Sequence, residues 1–540
     1  MNPARLNDEL AQAQAQARAG RLTEAETRYR GIMAAYPKYH PVYQEFGLLA
    51  YAAGNLPLAA ELFKTAISLA QHNAIYHRNY GEICRRMGRF DAAIHSGMMA
   101  CRLAPDDVDA HFNLGLAFSD ALQPDRAAAV YGNVLNLLSP VVSSGIATAN
   151  AWNMCGICFH RLRRFDEARN SYQRALQLQA DSPSFHNSLG SLLSEMGLLS
   201  QALDCFATAV KLAPEFAMAR LNLGMAQLKL GDWQPGWENY EARWQGSAES
   251  GNGTFSRPYC PLPQWDGQSA TEAQNLLVYT EQGYGDLFQF SRFLEPVTQR
   301  FAKVGLVCPD TITHLLMEWS FGEKVVLLKC LPAETATWHW HCPLMSLPRA
   351  FRTLPDSVPC RIPYLKVSAL AKAHWQSRLS AVTTGHFRVG VAWSGRKTHQ
   401  YDSLRSLRFE QLLPLLEDRR INWINLQKTA PGEPRPGIPA QLNWIDWSDE
   451  LTDFADTAAL LSNLDLVISI DSALVHLAGA LGRPVWMLNR FAGEWRWMEA
   501  RTDSPWYPTL RIFNQPEYAD WVSVLNTVKT CLAEYLTEKI

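Results

Sequence analysis

Six glycines recur at a nearly constant interval in the first half of this 540-residue chain. They stand at positions 47, 81, 115, 156, 190 and 224, so the gaps between them are 34, 34, 41, 34 and 34 residues. Twelve residues after each glycine comes another small residue, in order Ala59, Ala93, Ala127, Ala168, Ala202 and Gly236. A fixed period of this length indicates stacked units, each of which needs its neighbours to bury an apolar face.

Each period predicts two amphipathic helices that approach closely at the small residues. The 34-residue spacing with these glycines and alanines resembles the tetratricopeptide repeat. A degenerate repeat over residues 7–40 brings the total to about seven, and the solenoid is assigned to residues 1–246. The 41-residue gap predicts a seven-residue insertion near residues 139–145, as a longer loop between repeats.

The first helices of such repeats line a concave surface that usually binds peptide. The position two residues before each marker glycine should face that groove, and it holds Glu45, Asn79, Asn113, Met154, Ser188 and Asn222. The asparagines resemble the ladder by which the O-GlcNAc transferase solenoid grips a polypeptide, since an amide can pair with both a backbone N–H and a C=O. The alternative is a row of polar residues on a solvated face.

The second half has a different organisation. Residues 247–272 have the glycine, serine and proline content of a linker. Beyond them, short apolar runs alternate with helical patterns in two series, which indicates parallel sheets covered on both faces. The predicted fold class is therefore an all-α solenoid followed by two Rossmann-like α/β domains, 273–380 and 381–517, with a ligand cleft at the carboxyl ends of the strands. A final helix over 518–540 could cross back to the first of these domains.

Two turns at predicted strand ends carry polar groups. Residues 281–286 read Glu-Gln-Gly-Tyr-Gly-Asp and enter a helix directly. After the predicted strand 465–470 comes Asp471, then Ser472, which would cap a helix whose free N–H groups could bind a phosphate. His476 lies one turn further on the same face. Both turns could instead be ordinary capped helices of the core.

Six segments then occur together and in order, at residues 281–286, 389–395, 405–407, 471–486, 495–497 and 504–508. Their combination is similar to bacterial proteins that fuse tetratricopeptide repeats to a GT-B glycosyltransferase module related to the lipopolysaccharide heptosyltransferases. The resemblance implies transfer of a sugar from a nucleotide-activated donor. The first Rossmann-like domain would then serve the acceptor and the second the nucleotide sugar.

The resemblance also implies roles for individual residues. It makes Asp286 the base that acts on the acceptor hydroxyl, in a loop with Glu281, Gln282, Gly283 and Gly285. On the donor side it assigns Trp393, Ser394, Gly395, Arg396, Lys397, Gln427, Asp471, Ser472 and His476. The diphosphate would meet a cation from Arg396 or Lys397, and the choice between them stays open.

Residues 247–540 contain no Asp-x-Asp, the usual motif that binds a metal and a diphosphate. We therefore expect neither a metal nor another cofactor, and a carboxylate base acting in a direct displacement predicts inversion.

The sequence is compatible with three functions. The first is glycosylation of Ser or Thr in a polypeptide that the repeats hold, with a UDP-linked or CMP-linked sugar as donor; within the resemblance, flagellin is one candidate acceptor. The second is transfer to a saccharide or a lipid-linked glycan, with the repeats as a tether. The third is a non-catalytic scaffold whose transferase module has lost activity. A homodimer is compatible with each of them.

The composition excludes some classes of protein and indicates a cellular location. Fifty basic and fifty-two acidic residues leave a net charge of −2, which argues against holding nucleic acid by bulk electrostatics. No stretch approaches the roughly 18 apolar residues of a membrane helix, and the first residues lack the apolar core of a secretory signal. Eleven scattered cysteines suit a reducing compartment. The expected location is the cytoplasm.

Overall fold

A computed structural model describes residues 3–246, 257–268, 272–318, 324–359, 361–383, 386–397, 399, 401–429 and 432–539. Part of the predicted linker 247–272 thus lies outside the described residues. Internal contacts divide the chain into two units, Met1–Asn222 with Ala242–Arg257 and Leu223–Glu241 with Pro258–Ile540. The predicted boundary at residue 246 differs from this division, because 223–241 groups with the α/β unit.

The repeats are consecutive helix pairs. Their helices are α1 Pro3–Arg18, α2 Leu22–Ala35, α3 His40–Ala52, α4 Leu56–Leu69, α5 Ala74–Arg86, α6 Phe90–Leu103, α7 Val108–Asp120, α8 Pro124–Ser143, α9 Ala149–Arg161, α10 Phe165–Leu178, α11 Pro183–Glu195, α12 Leu199–Leu212, α13 Ala217–Leu230 and α14 Trp233–Tyr240. The degenerate first repeat is present as the pair α1–α2, which packs together. A short helix, Arg243–Gly246, follows α14.

Four of the marker glycines make room for an aromatic ring of the second helix in their pair, and the other two, Gly81 and Gly224, lie against backbone atoms of that helix. A Cβ added at Gly115 would lie 2.6 Å from Tyr131, and one added at Gly156 would lie 2.5 Å from Tyr172. The small residues twelve positions later are also buried, as the close approach of the helices requires. In each pair the two helices thus approach more closely than a side chain at the glycine position would allow.

One prediction for this region is wrong. The insertion near residues 139–145 is not a loop between repeats, because α8 continues as a helix through Ser143. Seven residues are about two helical turns, so the lengthened helix keeps the same face toward its neighbours. Leu138 is accordingly buried in the core of these repeats.

The α/β unit contains two parallel sheets. The first has the order β3-β2-β1-β4, from β1 Asn275–Tyr279, β2 Lys303–Val307, β3 Val325–Leu328 and β4 Trp340–Pro343. The second has the order β10-β9-β8-β5-β6-β7, from β5 Phe387–Ala392, β6 Ile421–Asn425, β7 Trp444–Asp446, β8 Leu466–Ile470, β9 Val485–Asn489 and β10 Leu510–Asn514. The strand order reverses between β1 and β4 in the first sheet and between β5 and β8 in the second. These switch points are where such sheets usually bind ligands.

The helices of this unit are Tyr284–Phe290, Leu294–Arg300, Thr313–Met317, Leu347–Ala350, Ala369–Val382, Asp402–Arg405, Phe409–Leu416, Phe454–Leu461, Ala473–Ala480 and Trp521–Lys539. A 3-10 turn at Ser291–Phe293 separates the first two of these helices. The last helix does not cross back to the first sheet. Its buried residues, such as Val528 and Leu532, lie in the core of the second sheet with Val389 and Trp486.

Candidate functional site

The glycine turn after β1 is fixed by its own carboxylates. Gln282 adopts a left-handed backbone, with a φ of 56°, and Gly283 caps the following helix. Asp286 Oδ2 accepts a hydrogen bond of 3.0 Å from the Gly283 N–H. Glu281 is buried, and its Oε1 accepts a hydrogen bond of 3.2 Å from the N–H of Met345, which follows β4. The turn therefore spans the switch point of the first sheet.

Asp286 also forms an ion pair with Arg496, the middle residue of a 3-10 turn Trp495–Trp497. The Arg496 side chain is 11% exposed and donates to Gln289 Oε1 at 3.1 Å and to Glu494 Oε2 at 3.2 Å. Burial works against its charge, but the nearby carboxylates raise the pKa of this guanidinium above its ordinary value. A permanent cation thus holds the predicted base in place.

On the second sheet, β8 ends in the Asp-Ser turn. Ser472 Oγ accepts a hydrogen bond of 3.3 Å from the N–H of Leu474 and so caps the helix Ala473–Ala480. His476, in the second turn of that helix, is buried, stacks on Trp497 at 5.1 Å and shares a hydrogen bond of 3.0 Å between Nδ1 and the Tyr507 hydroxyl. Burial and nearby arginines lower the pKa of His476 well below its ordinary value, so the ring is neutral at pH 7.

The two turns meet. A Cβ added at Gly285 would lie 2.9 Å from Cδ2 of His476 and 3.6 Å from the Cα of Ala473. The backbone that carries Asp286 therefore lies against the N-terminal turns of the helix that carries His476. The structure brings together two segments that the sequence separates by almost 200 residues.

The Asp471 carbonyl receives a hydrogen bond of 3.0 Å from Nη1 of Arg405. Burial raises the pKa of the Asp471 carboxyl and Glu494 adds to the rise, while two arginines and an indole oppose it. Arg405 is only 15% exposed and also faces Asp402. Gly395 leaves room for this guanidinium, since a Cβ there would lie 2.5 Å from Arg405 Nη2.

The loop after β5 is held by side-chain and backbone contacts within the second sheet. The backbone N–H groups of Trp393 and Ser394 donate to Gln427 Oε1 at 3.2 and 2.9 Å. The Trp393 side chain is buried and packs against Phe409 and Trp444 in the core of the second sheet, and its contact with a donor stays a prediction.

The two cations predicted in this loop are both exposed. Lys397 pairs with Glu433 at 2.6 Å and is 76% exposed, and Arg396 is exposed as well. Their contact with a diphosphate stays a prediction. The cations beside the Asp-Ser turn are instead Arg405 and Arg496, which sequence reasoning did not assign. Both belong to short segments, 405–407 and 495–497, that carried the resemblance, so the sequence indicated that these segments matter but not which residues they contact.

The three groove asparagines are half-buried in the repeats. Asn222 donates a hydrogen bond of 2.9 Å to Asn187 Oδ1, so its amide is already engaged by the preceding repeat. No hydrogen bond from the described residues engages the amides of Asn79 and Asn113. Their role in peptide binding stays a prediction.

Two negative findings concern the described residues alone. Among them, no three His, Cys, Asp or Glu side chains cluster closely enough to hold a metal ion. None of their helices combines the length and apolar content that a bilayer crossing needs.

Three families of known proteins match parts of this chain. The tetratricopeptide repeat matches residues 45–108 and 187–234, a related TPR repeat matches 159–197, and glycosyltransferase family 9 (heptosyltransferase) matches 451–496. The chain joins tetratricopeptide repeats to a glycosyltransferase family 9 domain. The matched part of that domain contains Asp471, Ser472, His476 and Arg496, whereas Asp286 lies before it.

The chain is similar to several known proteins over different lengths. Protein FlbA of Caulobacter vibrioides is 25% identical over 508 residues, which are 83% of this chain and 82% of FlbA. The human protein O-mannosyl-transferase TMTC1 is 28% identical over 193 residues, 35% of this chain, and the match covers 21% of TMTC1. Among solved structures, a thermophilic TPR protein of Thermus thermophilus is 21% identical over 35% of this chain and 99% of its own, with a TM-score of 0.31.

Proposed function

We propose that this chain transfers a sugar from a nucleotide-activated donor to a Ser or Thr hydroxyl of a polypeptide that its repeats bind. The contact of Gly285 with His476 carries the proposal, because it unites a candidate base with a candidate phosphate site. Both lie at the switch points of parallel sheets. The family 9 match to residues 451–496 supports the donor side.

In the proposed reaction, the Asp286 carboxylate takes the proton of the acceptor hydroxyl. The acceptor oxygen then forms a bond to the anomeric carbon while the bond from that carbon to the phosphate oxygen breaks, and the nucleotide leaves with the electron pair. Attack from the face opposite the phosphate inverts the anomeric centre. The base and the stabilised leaving group are the two contributions that this reaction requires.

The leaving phosphate gains negative charge, which positive groups beside Ser472 can stabilise. We assign this role to Arg405, to Arg496 and to the positive end of the dipole of the helix Ala473–Ala480. The proposed transfer uses these protein charges without a metal ion. A UDP-linked and a CMP-linked sugar are both candidate donors, and flagellin is one candidate acceptor.

The experiment begins with a thermal-shift panel of the purified chain against UDP-, GDP-, ADP- and CMP-linked sugars and the free nucleotides. A donor at 100 times its dissociation constant should stabilise the fold by about 2.7 kcal/mol. The donor that binds is then incubated with candidate acceptor proteins, saccharides and lipid-linked glycans, and added sugar is detected by intact mass.

Asp286→Asn tests the base, because an amide still accepts a hydrogen bond from Arg496 but cannot take a proton. We expect an unchanged donor shift and transfer reduced by about 100-fold or more. Asp310→Asn is the matched control, since Asp310 is an exposed acid that pairs with Lys329, and it should transfer normally. Near-normal transfer by Asp286→Asn would refute the base assignment. Binding of no nucleotide at all would favour the scaffold.

A further inference from the structure

The last helix pair of the repeats is packed into the α/β unit through two tryptophans. Trp233 is 1% exposed and stacks on Trp506 at 5.1 Å with an interplanar angle of 19°. Trp237 is 2% exposed, and its indole N–H donates to the Thr353 carbonyl at 3.0 Å. Helix α14, which carries both rings, belongs to the α/β unit by its contacts.

The same two rings support the turn Trp495–Trp497. Trp237 meets Trp495 edge to face at 5.4 Å. Trp506, on which Trp233 stacks, donates its indole N–H to the Arg496 carbonyl at 3.0 Å. Just beyond the turn, the Glu499 N–H donates to the Lys229 carbonyl of α13 at 2.9 Å. The turn is thus held by α14 and by Trp506, and the residue Glu499 just after it is held by α13.

The other side of this turn meets the candidate site. Arg496 forms the ion pair with Asp286, and Trp497 stacks on His476. A three-residue 3-10 turn has few hydrogen bonds of its own, so its position depends on what packs against it. The rings of α14 pack against one side of the turn. Asp286 and His476 contact its other side.

We propose that Trp237 is a positioning residue of the active site, which sets the place of Arg496 and through it the place of Asp286. This inference rests on the proposed function. It assigns a role in the reaction to the final tetratricopeptide helix, beyond peptide binding. Misplacement of a reacting group by about 1 Å can lower a rate by on the order of 100-fold, so a smaller side chain at 237 should be felt in the chemical step.

The test is a double-mutant cycle in the full chain with Trp237→Leu and Arg496→Gln. In the wild-type background, Trp237→Leu should lower kcat about tenfold and change the donor KM less than about twofold. In the Arg496→Gln background, the same change should lower kcat by less than about twofold, because the contact through which it acts is gone. Trp237→Phe, which keeps a packed ring, should restore most of the rate.

Trp423→Leu is the matched control, since Trp423 is 0% exposed in the core of the second sheet and lies outside the candidate site. It should lower the melting temperature as Trp237→Leu does but leave kcat within about twofold below that temperature. Equal loss of kcat from Trp237→Leu in both backgrounds, or an equal loss in Trp423→Leu, would overturn the inference.

Hydrogen exchange separates this inference from the proposed function. Trp237→Leu should speed amide exchange in peptides that contain residues 495–499 and 283–287, and Trp423→Leu should not. If the wild type transfers no sugar but this pattern appears, the proposed function fails and the mechanical link stands. If the wild type transfers sugar and the pattern is missing, the positioning role fails.

Discussion

Gly285 is the position at which one added methyl group should disturb the candidate site most directly. Its Cβ would lie 2.9 Å from Cδ2 of His476, closer than carbon atoms approach in proteins. The histidine cannot retreat easily, because Trp497 stacks on one face and Tyr507 holds Nδ1. Gly285→Ala therefore forces either the ring or the turn to move.

Overpacking of this kind typically costs about 1–3 kcal/mol, and the confined ring places this case at about 2 kcal/mol. For a domain of about 150–250 residues, each kcal/mol lowers the melting temperature by about 2–4 °C, so we expect a loss of about 4–8 °C. Displacement of His476 should also weaken donor binding, which the thermal-shift panel measures as a smaller ligand-induced shift.

Gly283→Ala is the matched control two residues away. Its Cβ would lie 3.5 Å from Asp286 Oδ2, an ordinary contact, and the backbone φ of −92° suits alanine. Loss of the glycine cap preference should cost less than about 1 kcal/mol. If Gly285→Ala is no more destabilising than Gly283→Ala and binds the donor equally well, the two turns are not in contact and the reasoning fails.

Burial raises the pKa of Glu195, but the contact with His160 and then the charge of Arg163 lower it to about 2. These contacts therefore stabilise the fold above about pH 4 and lose this effect as the pH falls toward 2. In urea titrations, Glu195→Gln should cost about 1–2 kcal/mol at pH 7 and almost nothing near pH 2. Arg405→Gln should raise the donor KM about tenfold in the transfer assay, and Lys397→Gln should raise it less than about twofold. Equal effects would contradict the assignment of the phosphate contact to Arg405 rather than to the exposed Lys397. Burial raises the pKa of the Cys158 thiol, so peptide mapping should find it unmodified by iodoacetamide until the repeats unfold.

The periodic parts of the fold could be predicted from the sequence because their signal is local. A 34-residue spacing requires one helix pair per period, and apolar runs such as 466–470 identify buried parallel strands directly. The continuation of α8 through residue 143 was missed for the same reason. Proline, serine and glycine near 139–145 indicate a loop locally, but two added turns preserve the packing of the helix with its neighbours.

The candidate site was predictable only to the level of its loops. Both turns lie where the strand pattern placed them, at the ends of β1 and β8. The cation that meets Asp286 could not be deduced, because Arg496 is 210 positions away and nothing near either residue specifies the pairing. The proposed positioning role of Trp237 could not be predicted either. An apolar position on a repeat helix predicts that the side chain is buried, but not which residues pack against it.

The geometry of Asp286 also bears on how this proposed base could accept a proton while it is paired with Arg496. Its Oδ1 accepts from Arg496 and its Oδ2 accepts from the Gly283 N–H. A carboxylate offers about four lone-pair sites, so two hydrogen bonds leave room on each oxygen for the proton of an acceptor hydroxyl. Arg496 therefore need not leave before transfer, and a base held on both oxygens is already oriented when the acceptor arrives. Since such orientation lowers the barrier only if the holding group is itself fixed, the rings that anchor Arg496 matter as much to the reaction as the ion pair does.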